Sequence, residues 1–153
     1  MELVIFVGLQ GAGKSTFYRT RFAATHVHVS KDNFRNVKHR DQRQERMIRE
    51  AWAEGKSVVV DNTNPTAEVR APLILLGLSL GAEIIGYSFE SELAACLARN
   101  ERRIGVARVP DVAVFITASK LEKPSYEEGF DRLFCVRALD GLQYEVWEEE
   151  RLS

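Results

Sequence analysis

The sequence lacks any run of eighteen apolar residues, so no part of it reads as a membrane-spanning helix. Cysteine is scarce: Cys96 and Cys135 stand apart, with no CxxC or Cys/His ligand spacing. A structural zinc site is thereby excluded, and the two thiols read as inert buried side chains in a reducing compartment. His26, His28 and His39 have no partners at metal-ligand spacing. There is little net charge either, since 21 Lys+Arg against 22 Asp+Glu leave −1. This rules out a strongly basic nucleic-acid packing protein but not a local basic groove. The first apolar stretch has no basic leader and ends after Val7 in a glycine-rich loop, unlike a secretory signal. Repeats, linkers and low-complexity segments are missing too. These absences lead us to expect a soluble cytoplasmic protein with no membrane contact and no obligatory protein partner; they leave the oligomeric state open.

What is present is ordinary globular composition. The 153 residues are 45% hydrophobic and 28% charged, which fits one domain over 1–153 with a core of its own. Leu3–Val7 is uniformly apolar and β-branched, the pattern of a parallel strand covered on both faces. Gly8–Gly13 is a turn, and Lys14 to about Ala24 reads as helix. His26–Ser30 alternates as a second strand. Asp41 to Glu54 is helical, with Met47, Ile48, Ala51 and Trp52 on one face and Gly55 as its stop. Ser57–Asp61 is a third strand. Pro65 suits the start of a helix running to about Leu80, before Gly81. Ala82–Phe89 is a fourth strand and Arg132–Ala138 a fifth, with Tyr144–Trp147 a possible short one. Helices are expected over Glu92–Arg103 and Asp111–Leu121. Alternating strands and helices imply an α/β fold with a mostly parallel five-stranded sheet and helices on both faces. Trp52 and Trp147 sit in apolar patterns and are expected in the core.

Gly8-Leu9-Gln10-Gly11-Ala12-Gly13-Lys14-Ser15, followed by Thr16, matches GxxxxGK[ST] between a strand and a helix. Glycines let the backbone wrap a phosphate and aim N–H groups at it, and the helix N-terminus adds its positive dipole end. Lys14 would reach the β- and γ-phosphates of ATP and the Ser15 hydroxyl would ligate Mg²⁺. No NKxD segment is present to read guanine. The apolar strand ends in Asp61-Asn62, so no Glu stands where a motor ATPase activates water. Asp32 follows the second strand, at the edge where α/β ligands bind. There it can take a proton from an acceptor hydroxyl, and it equally suits a helix N-cap. Arg99, Arg102, Arg103 and Arg108 crowd ten residues, 99–108, which suits a lid over a transferring phosphoryl group. Charge is segregated: Arg19–Arg49 holds nine Lys/Arg to three Asp/Glu, and Glu122–Glu150 holds three to nine. Arg43, Arg46 and Arg49 recur every third residue, as a solvated flank or as a groove for a phosphodiester backbone.

GLQGAGKST, SKDNFR, EGKSVVVDNTNP with Arg70 after it, ARNERR, VPDVAVF and KPSYEEGF follow one another in this order. The chain thereby resembles the kinase domain of polynucleotide 5′-kinases, including the kinase half of polynucleotide kinase/phosphatase enzymes, from about Leu3 to Val136. The resemblance implies a P-loop kinase fold with a lid at about 99–110, and transfer of the ATP γ-phosphoryl group to the 5′-hydroxyl of a DNA or RNA end. It implies Asp32 as general base and Arg35 on the acceptor's neighbouring phosphate. Asp61, Thr63, Asn64 and Arg70 fall on the acceptor side. Arg103, or Arg102 one register away, acts with Arg99 at the transferred phosphate. No DxDGT-like phosphatase motif accompanies them. Two other readings fit the P-loop: a kinase of a small molecule or nucleotide, and a non-catalytic nucleotide-binding module.

Overall fold

The computed structural model describes residues 1–34, 38–105, 108–140 and 142–152. Its centre is the apolar strand β1 (Glu2–Val7). Successive side chains of a strand point to opposite faces. Leu3, Ile5 and Val7 therefore enter one core with Val58, Val60, Ile48, Leu73 and Phe130. Val4 and Phe6 enter the other, with Phe17, Phe22, Ile85, Phe89 and Val136. An unbroken apolar run is what this double burial requires.

The parallel neighbours of β1 are β3 (Ser57–Val60) and β4 (Glu83–Phe89), with Val4 opposite Val59 and Ile85. Beyond them lie β2 (His26–Val29) on one side and β5 (Arg132–Ala138) on the other. The last strand, β6 (Tyr144–Glu149), pairs antiparallel with β5, giving six strands in the order β2-β3-β1-β4-β5-β6. The expected five-stranded sheet is thus corrected to six. The charged sequence of β6 hides it, because only Tyr144 and Val146 turn toward the core while Glu145 and Glu148 face water. Trp147 shares the face of Glu145, is exposed rather than in the core, and lies under the Arg137 guanidinium at 5.7 Å. Trp52 is half-buried.

The helices are α1 (Lys14–Arg21), α2 (Arg40–Ala53), α3 (Ala67–Ser79), α4 (Leu93–Glu101) and α5 (Asp111–Lys120). Helix α3 starts later than Pro65, because the Thr66 hydroxyl caps it by accepting from the Val69 N–H at 3.2 Å. Helix α4 stops two residues short of Arg103. There the buried Asn100 amide donates to the Val109 carbonyl (2.6 Å) and accepts from the Val109 N–H (3.0 Å). This pins both ends of the segment that carries Arg102, Arg103 and Arg108. No helix among the described residues is long and apolar enough to cross a membrane.

Candidate active site

The loop between β1 and α1 is closed by its own backbone. The Gly8 N–H donates to the Thr63 carbonyl and the Ala12 N–H to the Leu9 carbonyl, both at 3.1 Å. Gly11 has a φ of 81°, a left-handed conformation that side chains resist. A β-carbon there would also lie 2.5 Å from the Cys96 carbonyl oxygen of α4. The loop is therefore pressed against α4, and Arg99 holds it there by donating from Nη1 to the Gly11 carbonyl at 3.1 Å. Expected at the transferred phosphate, Arg99 serves the loop itself in this structure. Gln10 ties the loop to α5 by donating to the Thr117 hydroxyl at 3.0 Å. From the opposite side, the Tyr144 hydroxyl of β6 donates to the Gly13 carbonyl at 3.3 Å.

Lys14 is buried and its ammonium donates to the Gly8 and Leu9 carbonyls at 2.9 and 2.6 Å. Burial pulls its pKa down to about 8, opposed by Asp61, reinforced by the positive Arg103, and opposed again by Asp32. These three charges come from three separate segments and act on one ammonium. Arg103 is half-buried and Arg102 exposed, and of the two it is Arg103 whose charge acts on Lys14.

Asp61, just past β3, is buried, and its Oδ2 accepts from the Ser15 hydroxyl at 2.7 Å and pairs with His28 Nε2 at 2.8 Å. Burial pushes its pKa up, but the His28 bond, the Lys14 charge and the Ser15 bond outweigh it and hold the carboxyl below its usual range. The His28 ring stacks on Tyr18 at 4.3 Å. Asp61 was expected on the acceptor side; it stands instead beside the P-loop serine. A hydroxyl and a carboxylate converging in this way form the oxygen donor set that Mg²⁺ takes together with phosphate oxygens and water. The sequence signal for this was the apolar strand ending in Asp. His28 had none, since nothing in sequence links it to a carboxylate 33 residues away.

Asp32 lies in a 3₁₀ turn, Lys31–Phe34, directly after β2, exposed at the carboxyl edge of the sheet. Its N–H is held by the Ser30 hydroxyl at 3.3 Å. The Lys31 N–H is held by Asn62, whose amide in turn donates to the buried Gln44 of α2 at 2.7 Å. Arg35 lies outside the described residues, as do Val106 and Ala107 of the lid segment. Thr63 is half-buried beside Gly8.

Two residues expected to touch the acceptor are corrected. Asn64 is buried with a φ of 42°, and its amide donates to the Phe6 carbonyl at 2.8 Å. Arg70 is fully buried: Nε and Nη2 grip Glu128 at 2.8 and 3.0 Å, and Nη1 donates to the Asn64 and Glu122 carbonyls. With its guanidinium engaged on every side, Arg70 braces the loop after β3 from behind and offers nothing to a ligand.

The Lys14 value sets a pH dependence. Phosphates bound at the loop stabilise the ammonium and raise its pKa above that of the free protein. Nucleotide affinity is then complete below about pH 8 and falls as pH rises toward the higher value of the complex, by up to about tenfold per unit. Titrating a fluorescent ATP analogue between pH 7 and 9.5 checks this. A flat profile would mean that Lys14 is charged throughout.

The sequence profile of the AAA domain family matches residues 3–122. Among curated proteins, "Transcription factor bHLH140" of Arabidopsis thaliana is 32% identical over 151 residues, covering 90% of this chain and 16% of that protein. "Putative bifunctional polynucleotide phosphatase/kinase" of Acanthamoeba polyphaga mimivirus is 31% identical over 143 residues, covering 88% of this chain and 33% of that protein. This chain therefore spans a third or less of these two relatives. Among solved structures, Chaetomium thermophilum Kti12 in complex with ADP-AlF3 shares the fold, with a TM-score of 0.75 at 16% identity over 91% of this chain and 90% of that one.

Proposed function

The chain belongs to the AAA domain family, and from that premise we propose that it is an ATP-dependent kinase for the 5′-hydroxyl of a nucleic-acid end. One observation carries the reading. The loop lysine, Lys14, is buried against the Gly8 and Leu9 carbonyls, and the next residue, Ser15, bonds the Asp61 carboxylate at the end of β3, so a phosphate cradle and a carboxylate meet at one point of the sheet edge. The relative named as a polynucleotide phosphatase/kinase supports the acceptor class.

The donor triphosphate lies on the loop from Gly8 to Thr16, with Lys14 swinging from its carbonyl partners onto the β- and γ-phosphates. Its base takes the cavity of about 580 Å³ bordered by Glu90, Ala95, Arg99, Arg137 and Ala138, adjoining Gly11 and Gly13. Ser15 and Asp61 would hold Mg²⁺, which when bound neutralises charge on the β- and γ-phosphates. His28 keeps Asp61 in place. Asp32 accepts the proton of the acceptor hydroxyl as its oxygen bonds to the γ-phosphorus. The bond from that phosphorus to the β–γ bridging oxygen breaks, and ADP leaves. Arg103 balances charge on the equatorial oxygens. Positioning and electrostatics supply most of the rate in such transfers.

The test is transfer of labelled γ-phosphate from ATP to a 5′-OH oligonucleotide, a nucleoside 3′-monophosphate and a plain nucleoside. Label on the first two and little on the third is the expected result. Label on a plain nucleoside or a sugar alone would move the chain to small-molecule kinases. Bound ATP with no transfer to any acceptor would make it a nucleotide-binding module.

A further inference from the structure

Helix α2 divides two kinds of surface. One flank borders a groove toward α3 with an apolar floor of Leu73 and Leu76 and a rim where Glu45 and Glu68 stand with the Lys31–Asp41 pair, which it shares with the other flank. With Asp41 paired to Lys31, Glu45 and Glu68 leave that rim net negative and unsuited to phosphate. The other flank is basic. A concavity lined by Lys31, His39, Arg40, Asp41 and Gln42 meets a second lined by Lys38, His39, Gln42, Arg43 and Arg46. Asp41, the one acid among them, is ion-paired with Lys31. The surface is joined to the turn that carries Asp32. Arg40 Nη2 donates to the Lys31 carbonyl at 3.0 Å, and the Arg43 guanidinium lies over the Phe34 ring at 5.7 Å. Arg49, expected in the same stripe, lines neither concavity and pairs with Glu45 at 3.7 Å.

We infer that this flank of α2 is a track for the sugar–phosphate backbone of the acceptor strand, leading away from Asp32. The inference rests on the kinase reading above and adds contacts to the strand beyond the nucleotide that carries the hydroxyl. From Arg40 to Arg46 the helix rises about 9 Å, against about 3.4 Å per phosphate along a stacked strand, so the track engages two to three phosphates. Such contacts position the strand without reading its sequence. Binding therefore depends on salt and is indifferent to base identity.

The experiment is fluorescence anisotropy of a 3′-labelled, 5′-OH oligonucleotide about ten residues long, at several salt concentrations. Three phosphates give a log–log slope near −2, so raising salt from about 50 to about 200 mM weakens wild-type binding about 20-fold. Removing two contacts in Arg43→Gln/Arg46→Gln leaves a loss of about threefold over the same range. Arg49→Gln should track the wild type. A double variant with the wild-type slope, or an equal loss in Arg49→Gln, overturns the track. Transfer to a nucleoside 3′-monophosphate tests the kinase reading separately. If that transfer fails while the salt slopes behave as expected, the kinase reading falls and the strand-binding face remains. If it succeeds and the slopes do not differ, only the track falls.

Discussion

Replacing Asp32 by Asn is expected to lower phosphoryl transfer by about 10²- to 10⁴-fold while leaving ATP binding unchanged. Asparagine has nearly the same shape, so the 3₁₀ turn and the Ser30 bond to the backbone of residue 32 survive. What disappears is a basic oxygen at the sheet's carboxyl edge, where the proposed mechanism has the acceptor hydroxyl give up its proton. The exposure of Asp32 means that the change leaves no hole in the core. Single-turnover measurements are needed, because slow product release would mask a loss in the chemical step. A variant within threefold of wild-type rate would remove Asp32 from the role of base.

The largest effect on stability is expected from Arg70→Met, a loss of about 3–5 kcal/mol in urea unfolding. Its side chain is wholly buried, and its partner Glu128 is nearly so. Taking the guanidinium away leaves a carboxylate and the Asn64 and Glu122 carbonyls without their donor. Glu128 also accepts from the Ser125 N–H at 2.9 Å, within the capping box of the short helix Tyr126–Glu128. Three chain segments thus lose their common anchor. Adding Glu128→Leu should recover part of the loss by removing the stranded charge. A loss under about 1 kcal/mol for Arg70→Met would show that the guanidinium is not what holds them.

The two variants mark where sequence reading works and where it stops. The phosphate loop was legible because its chemistry is local: glycine spacing, a strand before and a helix after are all within reach of Lys14. The strands β1 to β5 were legible because burial on one or two faces leaves an apolar signature. Strand β6 was legible only as a short piece, Tyr144–Trp147, and was not counted in the sheet, since an edge strand rich in exposed Glu has half that signature. Arg70 was placed on the acceptor side by the resemblance alone. Its actual partner, Glu128, is 58 positions away, and only the fold brings the two together. Asp61 was expected on the acceptor side, and its bond to Ser15 was out of reach for the same reason, the two being 46 positions apart. The residue types were readable; pairings across the sheet were not.

The strand order has a consequence for how such a molecule can change. With β1 central, the segments that the proposed mechanism turns to the acceptor hang from β2 and β3, while the arginine segment and the cavity proposed for the donor base hang from β4 and β5. Under the proposed function the two substrates are served by opposite wings of one sheet, with the phosphate loop after the central strand between them. Substitutions in the segment from Lys31 to Arg46 can therefore retarget the chain to a new hydroxyl without rebuilding its grip on the triphosphate. The fold separates what is consumed at every turnover from what is recognised, and lets descendants of one scaffold keep the first and exchange the second.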